Sequence, residues 1–247
     1  MVDANLLAQV AVAFVVCSLI GLPSYRINVV SLSGLLSGYV MGIGVILFGG
    51  WGAFFVIFMF FVLSGATTKF HYDKKKKKGV AEAKGGARGY KNVFGNGLLA
   101  LFMIMGWWHY GSAVFLAGYM GAAASATADT AGGEIGRLSK SDPYLITTLK
   151  RVPTGTEGAV SVLGKSAEVV ICIFLGLVAL VGGMTQESLP WWNLLLVTGV
   201  GGFVGATVDS YLGATLETNK AWFGNNHTNF LCTVAGAATS MALYLAL

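Results

Sequence analysis

Apolar runs close to 20 residues recur along the whole chain, separated by short polar breaks. They fall at roughly 4–22, 27–44, 46–64, 93–108, 112–130, 166–183, 190–210 and 228–246. About 20 apolar residues in a helix cross the ~30 Å hydrocarbon layer of a bilayer. The runs lack the alternation of a lipid-facing barrel strand, and a spanning segment must satisfy its own backbone, so each predicts a helix. Only Gly42–Gly50 separates the second run from the third, which predicts a tight turn between them. The expected fold is an all-α polytopic transmembrane helix bundle of about eight spans, seven to nine, in a single integral-membrane domain over 1–247.

Composition supports this and excludes other classes. Hydrophobic residues make up 55% of the 247, charged residues only 11%, and mean hydropathy is +0.70. Soluble domains carry about 25% charged residues, so a soluble enzyme, a disulfide scaffold and a disordered chain are ruled out. Cys17, Cys172 and Cys232 sit singly inside apolar runs and read as core residues. Glycine is abundant, 35 residues, and Gly34, Gly38 and Gly42 share a spacing repeated by Gly201 and Gly205. Such spacing lets helix backbones approach closely. No Arg/Ser-rich stretch precedes the first run, which reads as a retained span rather than a targeting signal.

Charge then orients the bundle. Nine of the 16 Lys and Arg lie between Lys69 and Lys91, and five more between Arg137 and Lys165. With Arg26 and Lys220 in breaks on the same side, the positive-inside rule makes these loops cytoplasmic and places both termini outside. Trp51, Trp107, Trp108, Trp191 and Trp192 fall at the opposite ends, as an interfacial belt does, and only Trp222 lies inside. The run Lys74–Lys78, in the basic loop 66–91, suits anionic lipid at the membrane surface, so no nucleic-acid partner is expected.

The candidate chemistry comes from an internal pseudo-repeat. Span five ends Ala126-Thr127-Ala128-Asp129-Thr130, span seven ends Ala206-Thr207-Val208-Asp209-Ser210, and span three ends Ala66-Thr67-Thr68-Lys69. All three run outside to inside, so Lys69, Asp129 and Asp209 reach one depth at the inner boundary. An acidic residue in a membrane helix is costly and marks a functional candidate. Two carboxylates at a water boundary are what Mg2+ takes, with phosphate and water completing its shell. Glu134, about 140° round an unbroken helix from Asp129, could join them as a metal ligand if Gly132-Gly133 ends the helix.

Within the loop 131–165, Lys150-Arg151-Val152-Pro153-Thr154-Gly155-Thr156-Glu157-Gly158 leads to Ser161 and span six. Two cations before a turn and a helix N-terminus suit a phosphate, held by Lys150, Arg151, Gly155, Thr156, Gly158 and Ser161. The order is not that of a P-loop. Asn96, Asn226 and Asn229 begin helices on the same side and read either as caps or as ligand contacts. The histidines have no partners at zinc or triad spacing. These features favour phosphoryl or nucleotidyl transfer to a lipid phosphate. A transporter would hold its charged site nearer the midplane, and a scaffold leaves the repeated Asp unexplained.

Thr68-Lys69, Gly79 with Gly86-x-Arg88, Asn96-Gly97, Ala128-Asp129-Thr130 with Glu134, the Lys150–Gly158 phrase with Ser161, Asp209-Ser210 and Asn229 together resemble, in order, one known family. It is the integral-membrane family that includes plant phytyl-phosphate kinase and animal transmembrane protein 19. The chain departs from it at Gly132-Gly133, where Ala-Ser is expected. The resemblance implies transfer of the terminal phosphoryl of a nucleoside triphosphate, CTP by analogy with related lipid kinases, to an isoprenyl monophosphate lipid. In the mechanism expected from these residues, Asp129 and Asp209, with help from Glu134, hold Mg2+, and Lys69 serves as a catalytic cation. Without a transit segment, a prokaryotic multi-pass cell-membrane protein is expected, its active site cytoplasmic. A CDP-lipid-forming cytidylyltransferase sharing the same site stays open, as do a membrane transporter with a cytoplasmic-edge cation and phosphate site and a homodimer.

Overall fold

In the computed structural model, residues 4–218 and 222–247 are described; Lys220, counted above among the inner cations, lies outside them. The chain forms α1 (Ala4–Arg26), α2 (Leu32–Lys69), α3 (Tyr72–Lys77), α4 (Tyr90–Tyr110), α5 (Ala113–Gly136), α6 (Val162–Val181), α7 (Trp191–Leu212) and α8 (Asn225–Ala246). A two-residue hairpin pairs β1 (Tyr144–Leu145) with β2 (Ala159–Val160) inside the long loop before α6.

α2 is two passes, not one. Gly50 adopts φ 68°, ψ −169°, a conformation that only glycine takes readily, and the helix reverses there. The segments 32–49 (α2a) and 51–69 (α2b) return to one end of the bundle. Lys69 Nζ, on the last turn of α2b, reaches the Asn28 carbonyl beside the start of α2a at 3.4 Å. The expected turn thus falls at the last residue of the Gly42–Gly50 stretch.

Five helices are long and apolar enough to span a membrane: α1, α2, α6, α7 with its extension, and α8. With α2 doubled, α4 and α5 complete eight passes among the described residues. α5 is less apolar than these because it does not face lipid. Every residue from Leu116 to Ala128 is buried, with α2, α4, α6, α7 and α8 packed around it. Its Ala, Gly, Ser and Thr residues suit that central position, since small side chains let neighbours close in. A Cβ on Gly202 would meet Ala124 at 2.8 Å, and one on Gly205 would meet the Cys232 carbonyl at 2.8 Å. α5, α7 and α8 therefore touch nearly backbone to backbone.

α5 also runs six residues past its expected end at 130. Gly132 and Gly136 let α6 approach at Gly164, where an added Cβ would lie 3.0 Å from the Gly132 carbonyl and 3.3 Å from Gly136. The condition under which Glu134 would turn toward Asp129, a helix ended by Gly132-Gly133, is not met. The start of α1 and the end of α8 lie away from the long loops. Trp51, Trp108, Trp191 and Trp192 are exposed at that same far end.

Candidate functional site

The repeated phrases of α5 and α7 bring their acids together. Asp129 and Asp209 are within side-chain hydrogen-bonding reach of each other, and the charges of Lys165, Arg137 and Arg88 act on Asp129. Both acids line a polar cavity of about 990 Å³, its mouth included, at the loop end of the bundle. Opposite them stands the Gly155–Ser161 segment. Gly155 and Gly158 have φ of 95° and 72°, and a Cβ on Gly158 would press on the Ser210 carbonyl and the Ala214 backbone at 2.5 Å. Glycine is needed there twice over, for its conformation and for its contact. Just beyond, α7 passes into a π-helical turn, Gly213–Glu217, a distortion frequent at functional sites.

Three polar atoms in or near this cavity define its chemistry. Asp209 Oδ1 and Asn229 Oδ1 are buried and accept no hydrogen bond, while Asn229 Nδ2 donates to Asn225 Oδ1 at 3.2 Å. Buried acceptors left without donors are unfavourable by about 1–3 kcal/mol each unless a ligand satisfies them. Among the described residues no group of three or more His, Cys, Asp or Glu gathers at metal-ligand spacing. A Mg2+ ion takes only one or two carboxylates and fills its shell with water and phosphate, so Asp129, Asp209 and the Asn229 oxygen fit it. Lys165 supplies a cation in the wall, bonded to Glu168 at 2.9 Å and to Thr207 at 3.3 Å. The N-terminus of α6, capped by Ser161 accepting from Gly164 N at 3.1 Å, opens on the same space.

The structure divides the candidate residues of the sequence. It brings Asp129, Asp209, Gly155, Thr156, Gly158, Ser161 and Asn229 to the cavity. Glu134 also lines it, but both carboxylate oxygens are already taken, one by Lys75 and the other by Arg137 at 3.0 Å. Lys69 stands off the cavity and ties loops together through the Gly85 carbonyl at 2.7 Å. Lys150 and Arg151 point to solvent, with Arg151 over the Tyr144 ring at 5.8 Å. Asn96 is buried in α4, off the cavity lining, with its amide on the Asn92 carbonyl at 2.9 Å and its Oδ1 without a donor, and Asn226 packs its backbone against Gly95. For Lys69, Glu134 and Asn96 helix face decides, because one position along a helix turns a side chain about 100° away; Lys150 and Arg151 lie in the exposed loop between β1 and β2.

Sequence reasoning passed over Arg88, Lys165 and Lys75. Arg88 lay in the Gly86-x-Arg88 phrase. Its backbone bridges Val30, and its guanidinium donates to Thr68 Oγ1 at 3.1 Å. Lys75 belongs to the polybasic run read as facing anionic lipid, yet it is fully buried, donating to Glu134 and to the Thr67 and Thr68 carbonyls at 2.9 and 2.8 Å. Those carbonyls are among the unpaired ones that end α2b, a natural seat for a cation. At the cavity lip, partial loss of solvent first and the Glu217 charge second push the Glu157 carboxyl above its usual range.

Beside the polar cavity lies an apolar one of about 1040 Å³, walled by α1, α2a, α2b and α4. The two share Arg88 and Thr130.

Residues 15–237 match the model of the integral membrane protein family DUF92. The chain belongs to that family. It is the family expected from the motif order. Similar members include a membrane protein of Methanocaldococcus jannaschii, 32% identical over 87% of this chain and 85% of its own. Two are from Arabidopsis thaliana: protein PGR, 30% identical over 83% of this chain and 78% of its own, and the chloroplastic protein VTE6, 28% identical over 86% and 65%. No solved structure matches the chain.

Proposed function

We propose that this DUF92 protein is an isoprenyl-phosphate kinase, moving the terminal phosphoryl group of a nucleoside triphosphate, CTP the expected donor, to a phytyl or polyprenyl monophosphate. The reaction would take place at the cytoplasmic face of the cell membrane. One observation carries the reading: a polar cavity with orphaned acidic and amide oxygens lies against an apolar cavity, and the two share Arg88 and Thr130 in their walls. Such a junction suits a molecule with a phosphate head and a greasy tail. The family membership and motif order support the same chemistry.

Asp129, Asp209 and Asn229 would hold Mg2+, which when bound neutralises phosphate charge. Arg88 receives the phosphate of the lipid at the junction. Lys165, the N-terminus of α6 and the backbone of Gly155–Ser161 face the donor phosphates. An oxygen of the lipid monophosphate bonds to the terminal phosphorus as the bond to the bridging oxygen breaks, and the electron pair leaves on the nucleoside diphosphate. The attacking oxygen is already anionic at neutral pH, so positioning and charge neutralisation suffice, with no general base.

The test uses purified protein, an isoprenyl monophosphate and CTP labelled at the α or the γ phosphate in turn. Label reaching lipid from γ alone is the expected result. Label from α would make the protein a cytidylyltransferase, and label from neither would end the proposal of group transfer.

A further inference from the structure

The apolar cavity has a definite depth, a floor and an unsatisfied polar group. Its mouth is at Gly34, where the α2a backbone abuts the Arg88 carbonyl. At the other end it is lined by Gly42, Phe54 and Cys17, and Ala13, Val45 and Ala53, about a turn further on, are wholly buried in the packed core. Eight helical residues from Gly34 to Gly42, and ten from Ser64 to Phe54, give a slot about 12–15 Å long. An extended chain advances about 1.2 Å per backbone bond, so the slot holds roughly 10–12 bonds. That is about three isoprene units. Near the mouth, the hydroxyl of Ser64 is buried at 6% exposure, lines the slot and bonds to nothing. One helical turn away, Thr68 accepts from Arg88.

We infer that this slot seats one slender hydrocarbon tail of a lipid monophosphate, head group at Arg88 and Ser64, and that the glycine at 38 leaves the slot open for the tail to pass toward its floor. The inference rests on the kinase reading for the identity of the head group and adds the part that selects the tail. Charge complementarity commits the slot to an anionic head: Arg88 stands at its mouth, and the Asp129–Asp209 pair lies across the junction, where a cation would draw phosphate. Selection here is by shape. A tail leaving the bilayer for the slot exchanges one apolar setting for another, so little is gained from removing it from water. The slot excludes what does not fit, including a lipid with two chains at its head.

Gly38 is the position that tests this. It lines the slot about one turn below the mouth, and a Cβ there would have no heavy atom within 4 Å. A leucine at 38 therefore fills the slot without pressing on the fold. In lipid nanodiscs at fixed mole fraction, Gly38→Leu should weaken binding of farnesyl monophosphate about tenfold or more, the scale at which a pocket rejects a misfit. Binding of dimethylallyl monophosphate, which ends above residue 38, should change less than about twofold. Gly38→Ala should give the same pattern at smaller size, and serves if the leucine variant folds poorly. In the wild type, diacyl phosphatidic acid should not compete. Equal losses for both tail lengths, no loss for either, or competition by phosphatidic acid would each overturn the slot.

Binding is measured without nucleotide, which separates the two proposals. The length pattern without any phosphoryl transfer would keep the slot and remove the kinase. Transfer with no length pattern would do the reverse.

Discussion

Two charged clusters sit side by side at the loop end of the bundle, and they are built oppositely. In the first, Glu134 is closed in by Lys75 and Arg137, and Lys75 adds two helix-end carbonyls, so its ammonium is saturated. In the second, Asp129 and Asp209 face each other while oxygens of Asp209 and Asn229 go without donors. Both clusters are buried, so both cost desolvation. The first recovers it inside the protein and works as a fastener between the basic loop, α2b and α5. The second recovers it only when something binds. Burial of charge alone does not separate structure from function; whether the charge is answered does.

The sharpest way to break this comparison is at the open cluster. Asp129→Asn and Asp209→Asn should each reduce phosphoryl transfer by on the order of 10³-fold or more, equivalent to several kcal/mol of lost charge stabilisation. Thermal stability in detergent should be held, because asparagine keeps a hydrogen-bonding side chain in the pair and removes one of two like charges that face each other. A variant that transfers phosphate at near wild-type rate would return the pair to a structural role.

The closed cluster should respond the other way. Lys75→Met leaves Glu134 buried with one cation fewer, and breaking such a pair destabilises by about 3–5 kcal/mol. The expected observation is a large fall in melting temperature, substantially recovered in Lys75→Met/Glu134→Leu, where neither charge is left uncompensated. Equal melting temperatures for wild type and Lys75→Met would contradict the fastener.

Mg2+ adds a gentler probe of the same contrast. At about 100 times its dissociation constant, an ion bound only by the folded state stabilises by about 2.7 kcal/mol. Wild type should melt higher with Mg2+ present, Asp209→Asn should not respond, and Glu134→Gln should start lower yet retain the response. Smaller still, Lys150→Ala and Arg151→Ala should leave transfer within about twofold, since surface positions off the cavity rarely matter more than about 0.5 kcal/mol.

The smallest effect concerns pH. The Glu157 carboxyl is raised in the folded protein. Its contribution to stability is therefore complete below the unfolded value of about 4.3 and lost as pH rises through the folded value. Melting temperature without Mg2+ should decline over that interval, and Glu157→Gln should flatten the decline. An unchanged slope in the variant would assign the pH dependence elsewhere.

Much of the fold could be read along the chain. The lengths of the apolar runs, the distribution of Lys and Arg, and the tryptophans at the far end set the number of passes and the end at which the loops gather. The repeated Ala-Thr-x-Asp phrase likewise marked the two acids that meet. Neighbouring candidates could not be sorted in that way. Lys69 completes the third phrase, yet its ammonium turns to the Gly85 carbonyl, while Thr67 and Thr68 beside it receive Lys75. Arg88 sits in a loop, in a Gly86-x-Arg88 phrase that says nothing of where its side chain goes, and the bridge to Val30 places it where the two cavities adjoin.

Sequence by itself thus determined what the bilayer demands: apolar length, satisfied backbone, charges on one side, and costly acids kept for a purpose. These are properties of a segment and its solvent, and they are local. Tertiary structure alone decided which charges are answered, because pairing depends on helix rotation and on backbone approach across helices distant in sequence. A turn of about 100° per residue separates a ligand from a fastener, and glycines such as Gly132, Gly158 and Gly205 set the distances at which the choice is made.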